Sequence, residues 1–146
     1  MTTTWILVAN SSEAQLYVND GPKKGLKLLK EFSHPKSRAK GSELITDRPG
    51  HYKSSGTARG AFAQETEPRE QEKERFAHTL ATHLDRGRTP NKYQRLILAA
   101  SPDFLGTLNN TLGSQVRTLV SKALNKDYTK ASDKQLAGHL EKLIRL

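Results

Sequence analysis

The stretches WILVA at residues 5–9 and LILAA at residues 96–100 decide the fold. Each is a continuous apolar run without alternating polar residues, which is typical of a strand covered on both faces. Both runs therefore predict central strands of a sheet. A turn sequence, Asn10-Ser11-Ser12, follows the first run, and Ser101-Pro102 follows the second with the chemistry of a helix N-terminus.

Two further strands are predicted beside the first apolar run. Apolar and polar residues alternate over 14–19, which indicates a half-buried strand. A third strand is predicted over residues 25–32, with a shift in the apolar pattern between Leu28 and Leu29. Tight turns join all three, so they predict an antiparallel meander.

Helices are predicted in the second half of the chain. Pro68 is expected to open the first, which buries Phe76, Leu80 and Leu84 and ends near Gly87. Four glutamates near that start would stabilise the positive end of the helix dipole: Glu65, Glu67, Glu70 and Glu72.

The chain is expected to close with a short helix from Ser101, a strand over about 119–125 and a last helix. Ser132 with Gln135 forms a capping box for that helix, whose apolar stripe runs to Leu143 and Ile144. The resulting order, β-β-β-loop-α-β-α-β-α, predicts a three-layer-like α/β sandwich with a mixed sheet. Its 146 residues suit a single domain spanning 1–146.

A long basic loop is predicted at about residues 33–66. This stretch is rich in Gly, Ser, Pro, Lys and Arg and has few large apolar residues. Long loops inside compact domains are usually functional or disordered, and we interpret this one in that way rather than as a helix.

Positive charge is concentrated around that loop. The chain has 24 Lys and Arg against 15 Asp and Glu, a net charge of +9, and residues 21–60 alone carry ten basic and three acidic residues. Clustered cations attract polyanions and release their counterions, which points to a polyanionic partner. A solvated, solubilising loop is the alternative.

The candidate nucleic-acid-binding residues lie in this loop. They are Lys36, Arg38, Lys40, Arg48, His51, Tyr52, Lys53 and Arg59. Arginine grips phosphates and stacks on bases, and His51 and Tyr52 could stack on an unpaired base. RNA is therefore favoured over duplex DNA, because nothing resembles a recognition helix for the major groove. An acidic protein or polysaccharide is a further option, whereas a membrane surface is disfavoured because no basic amphipathic helix is evident.

Sequence motifs for catalysis are missing. The chain has no Cys, which excludes disulfides and thiolate metal sites, and no phosphate-binding glycine loop or nucleophile elbow. The first strand has no acid, and only Glu13 and Asp103 lie near predicted strand ends, too few for two-metal nuclease chemistry. We expect no enzymatic activity, no cofactor and no metal, with a weak hydrolase of phosphodiester or ester bonds as an alternative.

The N-terminal sequence, MTTTWILVAN, has no basic region and only five consecutive apolar residues. It is too short for a signal peptide or a membrane span, so a cytoplasmic location without membrane insertion is expected.

Several motifs in order resemble one family, the bacterial host attachment proteins, which are relatives of the archaeal and eukaryotic peptide-chain release factors. The matching stretches are Trp5-Ile6-Leu7-Val8-Ala9-Asn10, Ala14, Leu16-Tyr17, His34-Pro35, Ser37-Arg38, Lys40, Glu43-Leu44, Asp47-Arg48-Pro49-Gly50, Phe76-Ala77, Ser101-Pro102-Asp103-Phe104-Leu105-Gly106, Leu108 and Lys126-Asp127-Tyr128-Thr129.

The resemblance implies a fold like the release-factor middle domain, a ribonuclease H-like arrangement. In release factors a Gly-Gly-Gln loop assists peptidyl-tRNA hydrolysis, but the corresponding residues, 50–64, contain no such motif. Peptide release is therefore not expected, while RNA or ribosome contact is. The family name implies a second reading, a protein-interaction factor required for attachment to host cells or surfaces.

Overall fold

The fold consists of one sheet with helices on both faces. A computed structural model describes residues 2–34 and 58–143, with side chains in the second range from Glu70 onward. Its elements are β1 (Thr4–Ala9), β2 (Glu13–Asn19), β3 (Lys27–Ser33), α1 (Ala58–Arg88), β4 (Arg95–Ala100), α2 (Pro102–Thr111), α3 (Ser114–Arg117), β5 (Val120–Leu124) and α4 (Asp133–Leu140).

The sheet is mixed and has the strand order β3-β2-β1-β4-β5. β1 pairs antiparallel with β2 and parallel with β4, so that Leu7 lies between Leu16 and Leu98. β3 pairs antiparallel with β2, and β5 pairs parallel with β4. The prediction of an α/β fold with a mixed sheet and this order of elements is confirmed.

The central position of β1 explains its continuous apolar run. Trp5 and Leu7 face α1 and α2 within one buried cluster, whereas Ile6 and Val8 belong to a second cluster on the opposite face. α4 covers that second face with Leu136 and Leu140, which are both buried. No residue of β1 contacts solvent freely, since the whole strand is buried.

Helix α1 begins earlier than the sequence indicated. It starts at Ala58, so the prediction that Pro68 opens it was wrong, as was the extension of the basic loop to about residue 66. The apolar stripe becomes recognisable only at Phe76, because the preceding turns contain mainly Ala, Glu, Gln and Arg. These residues favour a helix through intrinsic propensity rather than through periodicity.

The caps of the two later helices differ. The capping box of α4 is complete, with the Ser132 hydroxyl accepting from the Gln135 N–H and the Gln135 side chain accepting from the Ser132 N–H. Ser101 occupies the N-cap of α2 as predicted, but its side chain forms no capping bond. Its Oγ is buried and has no hydrogen-bond partner among the described residues. Leu143 is half-buried, and Ile144 lies outside the described residues.

The carboxyl-terminal end of α1 packs closely against the side chain of Trp5. The Trp5 ring stacks on Tyr93 with ring centroids 4.4 Å apart, and the Tyr93 hydroxyl donates to the Leu84 carbonyl at 2.7 Å. Gly87 leaves room for this ring, since a Cβ there would lie 2.4 Å from Trp5 Cη2. Gly87 is therefore more than the helix-ending residue expected from the sequence, because it permits α1 to approach β1.

Replacing Gly87 with alanine should destabilise the protein by about 1–3 kcal/mol, since the added methyl overpacks a filled core. Gly106→Ala is the matched control, because a Cβ on α2 at that position meets nothing within 4 Å. The control should leave stability unchanged or raise it by up to about 1 kcal/mol. Urea unfolding of both variants measures the difference, and equal midpoints would contradict the packing role of Gly87.

Candidate nucleic-acid interface

The predicted binding residues lie almost entirely outside the described part of the chain. This holds for Lys36, Arg38, Lys40, Arg48, His51, Tyr52 and Lys53. Arg59 lies in the first turn of α1, where only the backbone is described. Their convergence into one binding surface therefore stays a prediction. What the structure defines is the point where the chain enters this basic segment, residues 36–59.

His34 anchors the chain at that point. Its backbone N–H donates to the Ser12 carbonyl at 2.7 Å, which continues the pairing of β2 with β3. Its ring stacks on Phe76, with centroids 5.5 Å apart, and its Nε2 lies 2.6 Å from Glu72 Oε2. The basic segment thus follows directly from a residue that is held against α1 on two sides.

Glu72 is a buried carboxylate with two cationic or potentially cationic partners. One oxygen contacts His34, and the other accepts from Arg75 Nη1 at 2.5 Å. Burial raises the pKa of Glu72, but the hydrogen bond from His34 and the charge and hydrogen bond of Arg75 outweigh it, leaving the pKa below its ordinary value of 4.5. The residue is therefore ionised at neutral pH although it is only 5% exposed.

Sequence reasoning assigned Glu72 a different role. It was expected to stabilise the helix N-terminus, but α1 begins at Ala58 and has no acidic residue in its first turn. The His34–Glu72 pair joins residues 38 positions apart and carries no local sequence signal. Only the tertiary packing of β3 beside α1 brings them together.

The described lysines of the basic region are exposed. Lys23 and Lys24 lie in the turn after β2, and Lys27 and Lys30 lie on β3, which is an edge strand. Within the part of the chain that the structure describes, none of the four forms an ion pair with a carboxylate. Their charge is therefore available to a partner.

The two carboxylates considered for hydrolysis have local explanations. Glu13 forms an ion pair with Lys130, with 2.9 Å between Oε1 and Nζ, and Asp103 is exposed in the first turn of α2. Among the side chains described, those of residues 2–34 and 70–143, no group of three or more His, Asp or Glu is arranged to hold a metal ion.

A hydrogen-bonded clamp closes the carboxyl end of β1. Asn10 Nδ2 donates to Asp127 Oδ2 at 3.2 Å and to Thr129 Oγ1 at 3.1 Å, while its Oδ1 accepts from the N–H groups of Ser12 and Glu13. Burial raises the pKa of Asp127, but hydrogen bonds from Thr129 and Asn10 outweigh it and hold the pKa below 3.8. The clamp ties the β1–β2 turn to the loop after β5.

The sequence profile of a family described as "Protein required for attachment to host cells" matches residues 5–140. The chain belongs to this family. A relative from Rickettsia prowazekii (strain Madrid E), "Uncharacterized protein RP470", is 30% identical over 129 residues, which cover 84% of this chain and 81% of that protein. These matches confirm the family membership that the sequence motifs of this host attachment protein predicted.

One solved structure supports the fold of this host attachment family protein. The archaeal translation termination factor aRF1 matches with a TM-score of 0.55 and 13% identity, over 97% of this chain and 35% of that chain. The chain thus spans about a third of that factor, and at this identity the likeness shows the fold alone. An Aquifex aeolicus Ppx/GppA phosphatase matches with a TM-score of 0.40 and 14% identity, over 85% of this chain and 36% of that chain.

Membrane-spanning helices were also considered. In residues 2–34 and 58–143, every helix is too short or too polar to cross a bilayer.

The contacts of Glu72 with His34 and Arg75 predict a specific pH dependence of the free energy of unfolding. Because the folded-state pKa of Glu72 is lowered, its stabilisation is present above about pH 4.5 and is lost as the pH falls through the folded-state value. Glu72→Gln should cost about 1–3 kcal/mol at pH 7. Its difference from the wild type should shrink below pH 4.5.

Urea unfolding between pH 3 and pH 7 (roughly the window set by carboxylate titration) measures this effect. Glu74→Gln is the matched control, since Glu74 is exposed on the same helix and forms no described ion pair. A Glu72→Gln variant whose stability deficit stays constant down to the lowest pH would contradict the assignment.

Proposed function

We propose that this host attachment family protein is a non-enzymatic, cytoplasmic RNA- or ribosome-associated protein that binds through the basic segment. The observation that carries the proposal is the density of positive charge, with ten Lys and Arg against three acids in residues 21–60. The remainder of the chain is close to neutral, with 14 basic and 12 acidic residues. Such an asymmetry favours a polyanion over an uncharged partner.

The described residues support the binding of a polyanion at the basic segment. The exposed lysines Lys27 and Lys30 precede the basic segment on β3, and His34 holds the start of the segment against α1. A binding segment that is anchored at its start loses less conformational entropy on binding than a free tail does. Charge before the segment and within it would then contact the same polyanion.

The residue types favour RNA. The guanidinium groups of Arg38, Arg48 and Arg59 can grip phosphate oxygens in a bidentate manner, whereas lysine acts as a point charge. His51 and Tyr52 are adjacent planar side chains that can stack on bases splayed out of a helix. Unpaired bases are common in folded RNA and rare in duplex DNA.

The likeness to a translation termination factor supports the ribosome as the source of that RNA. It extends over 97% of this chain, although it concerns the fold alone. Residues 50–64 lack Gly-Gly-Gln, and a bulky Phe62 stands in that stretch, where paired glycines would give a permissive backbone. Binding without peptide release is the function that these features favour.

Ribosome co-sedimentation at low and moderate salt tests the proposal. The double variant Arg38→Glu with Lys40→Glu should weaken binding and reduce the slope of log affinity against log salt by about one unit per lost phosphate contact. The matched control is Lys134→Glu with Lys142→Glu, which reverses the same charge on and beside α4, where both residues are exposed. Nuclease treatment should abolish the wild-type binding.

If the Arg38 and Lys40 variant binds with unchanged affinity and an unchanged salt slope, the assignment of the basic segment to the interface is contradicted. Equal losses in both double variants would show that net charge alone, rather than this segment, determines binding. Absence of co-sedimentation at any salt would reject the ribosome as the partner.

The family description favours a second candidate function, an interaction factor in attachment to host cells. The partner would be an acidic protein or polysaccharide that neutralises the same cations. A pull-down that enriches envelope components and resists nuclease would support this candidate and contradict the first.

A further inference from the structure

A groove of about 520 Å³ lies between β3 and the carboxyl-terminal end of α1. Four cationic residues line it: Lys27, Lys30, Arg86 and Lys92. Asp20 is the one acidic residue among its described lining residues. We call this the cationic groove. All of its lining residues are described, and none of them belongs to the basic segment.

A β-bulge creates one wall of the cationic groove. Lys27 pairs with Val18 and Lys30 with Leu16, while Leu29 is left without a directly opposed residue. Because opposed residues of an antiparallel pair share a face, both lysines lie on the side of the sheet that α1 covers. Residues three apart would otherwise face opposite sides, so the bulge is what brings the two charges together.

The cations of the cationic groove lack carboxylate partners among the described residues. In the described part of the chain, none of its four cations forms an ion pair, whereas nearby Arg88 is paired with Asp85 at 2.9 Å. They come from three places in the chain (β3, α1 and the loop after α1), so folding itself gathers them. Like charges held together repel one another, and a bound anion relieves that repulsion.

His83 also lines the cationic groove, beside three of its cations. Its ring lies against Trp5, with centroids 5.9 Å apart, and meets Phe32 edge-on. Burial and the charges of Lys30, Lys92 and Arg86 lower the pKa of His83 below 6.5. Lys27 and Asp20 also line the groove, so its described lining contains four cations and one acid.

The cationic groove also offers an apolar surface beside the charges. Leu29 lines it and is 45% exposed. A ligand matched to both features has an anionic group and an apolar part. We propose that the cationic groove binds the phosphate of a nucleotide, free or within an RNA strand, with the base against Leu29.

This site shares Lys27 and Lys30 with the surface of the proposed function, but it contains no residue of the basic segment. The test uses AMP and a short single-stranded oligouridylate as probes, with the His83 imidazole signals followed by NMR through a pH titration. Each probe that binds should raise the pKa of His83, because its phosphate offsets the charges of Lys30 and Lys92.

The double variant Lys30→Glu with Lys92→Glu should lower probe affinity about tenfold or more, which corresponds to the loss of two charge-assisted contacts. Lys30→Gln with Lys92→Gln is a milder pair that keeps the surface polar and should lower affinity in the same direction. Lys134→Glu with Lys142→Glu is the control for net charge. All of these double variants change exposed side chains, so each variant should keep the fold.

Binding of AMP by the wild type that is weakened in both groove variants would support a free nucleotide as the source of the phosphate. Binding of the oligouridylate alone would support an RNA strand. If neither probe shifts the His83 titration, or if the groove variants bind as the wild type does, the proposal is overturned. Arg38→Glu with Lys40→Glu should leave AMP binding intact, which separates failure here from failure of the proposed function.

Discussion

The burial of β1 on both faces is the constraint on which the structure depends. A strand without a solvent side needs strands at both of its edges and helices over both faces, and β2, β4, α1 and α4 meet those needs. Burying such a run stabilises the fold mainly through the hydrophobic effect, at about 25 cal/mol per Å² of apolar surface. The mixed sheet follows, because the hairpin supplies an antiparallel neighbour and the crossover through α1 supplies a parallel one.

The same strand sets the geometry of the surface. Trp5 requires Gly87 on α1, and this contact places the carboxyl-terminal turn of α1 beside β1 and β2. At the other end of the contact surface, the buried carboxylate of Glu72 holds His34. Helix and sheet are therefore joined at two points, one through close packing and one through charge. The cationic groove lies near the first point, and the basic segment begins at the second.

Sequence periodicity predicted most of the sheet because burial has a simple signature. The runs at residues 5–9 and 96–100, the shift at Leu28 and Leu29, and the Ser132 capping box all correspond to structure. The early turns of α1 were missed because propensity, unlike an apolar stripe, leaves no periodic pattern. The candidate site was predictable only as a charge excess. Its specific pairs join residues far apart in sequence, and no local pattern encodes them.

The bulge on β3 has a consequence for association between copies of the chain. An open sheet edge exposes unpaired N–H and C=O groups that can accept a strand from another molecule, and natural sheets protect such edges with lysines and irregular pairing. β3 has both, with Lys27 and Lys30 flanking the unopposed Leu29. A second copy approaching edge to edge would bring these ammonium groups against their equivalents and would find the ladder interrupted. The bulge that turns two lysines toward one face therefore also disfavours edge-to-edge pairing of this sheet with that of a second copy.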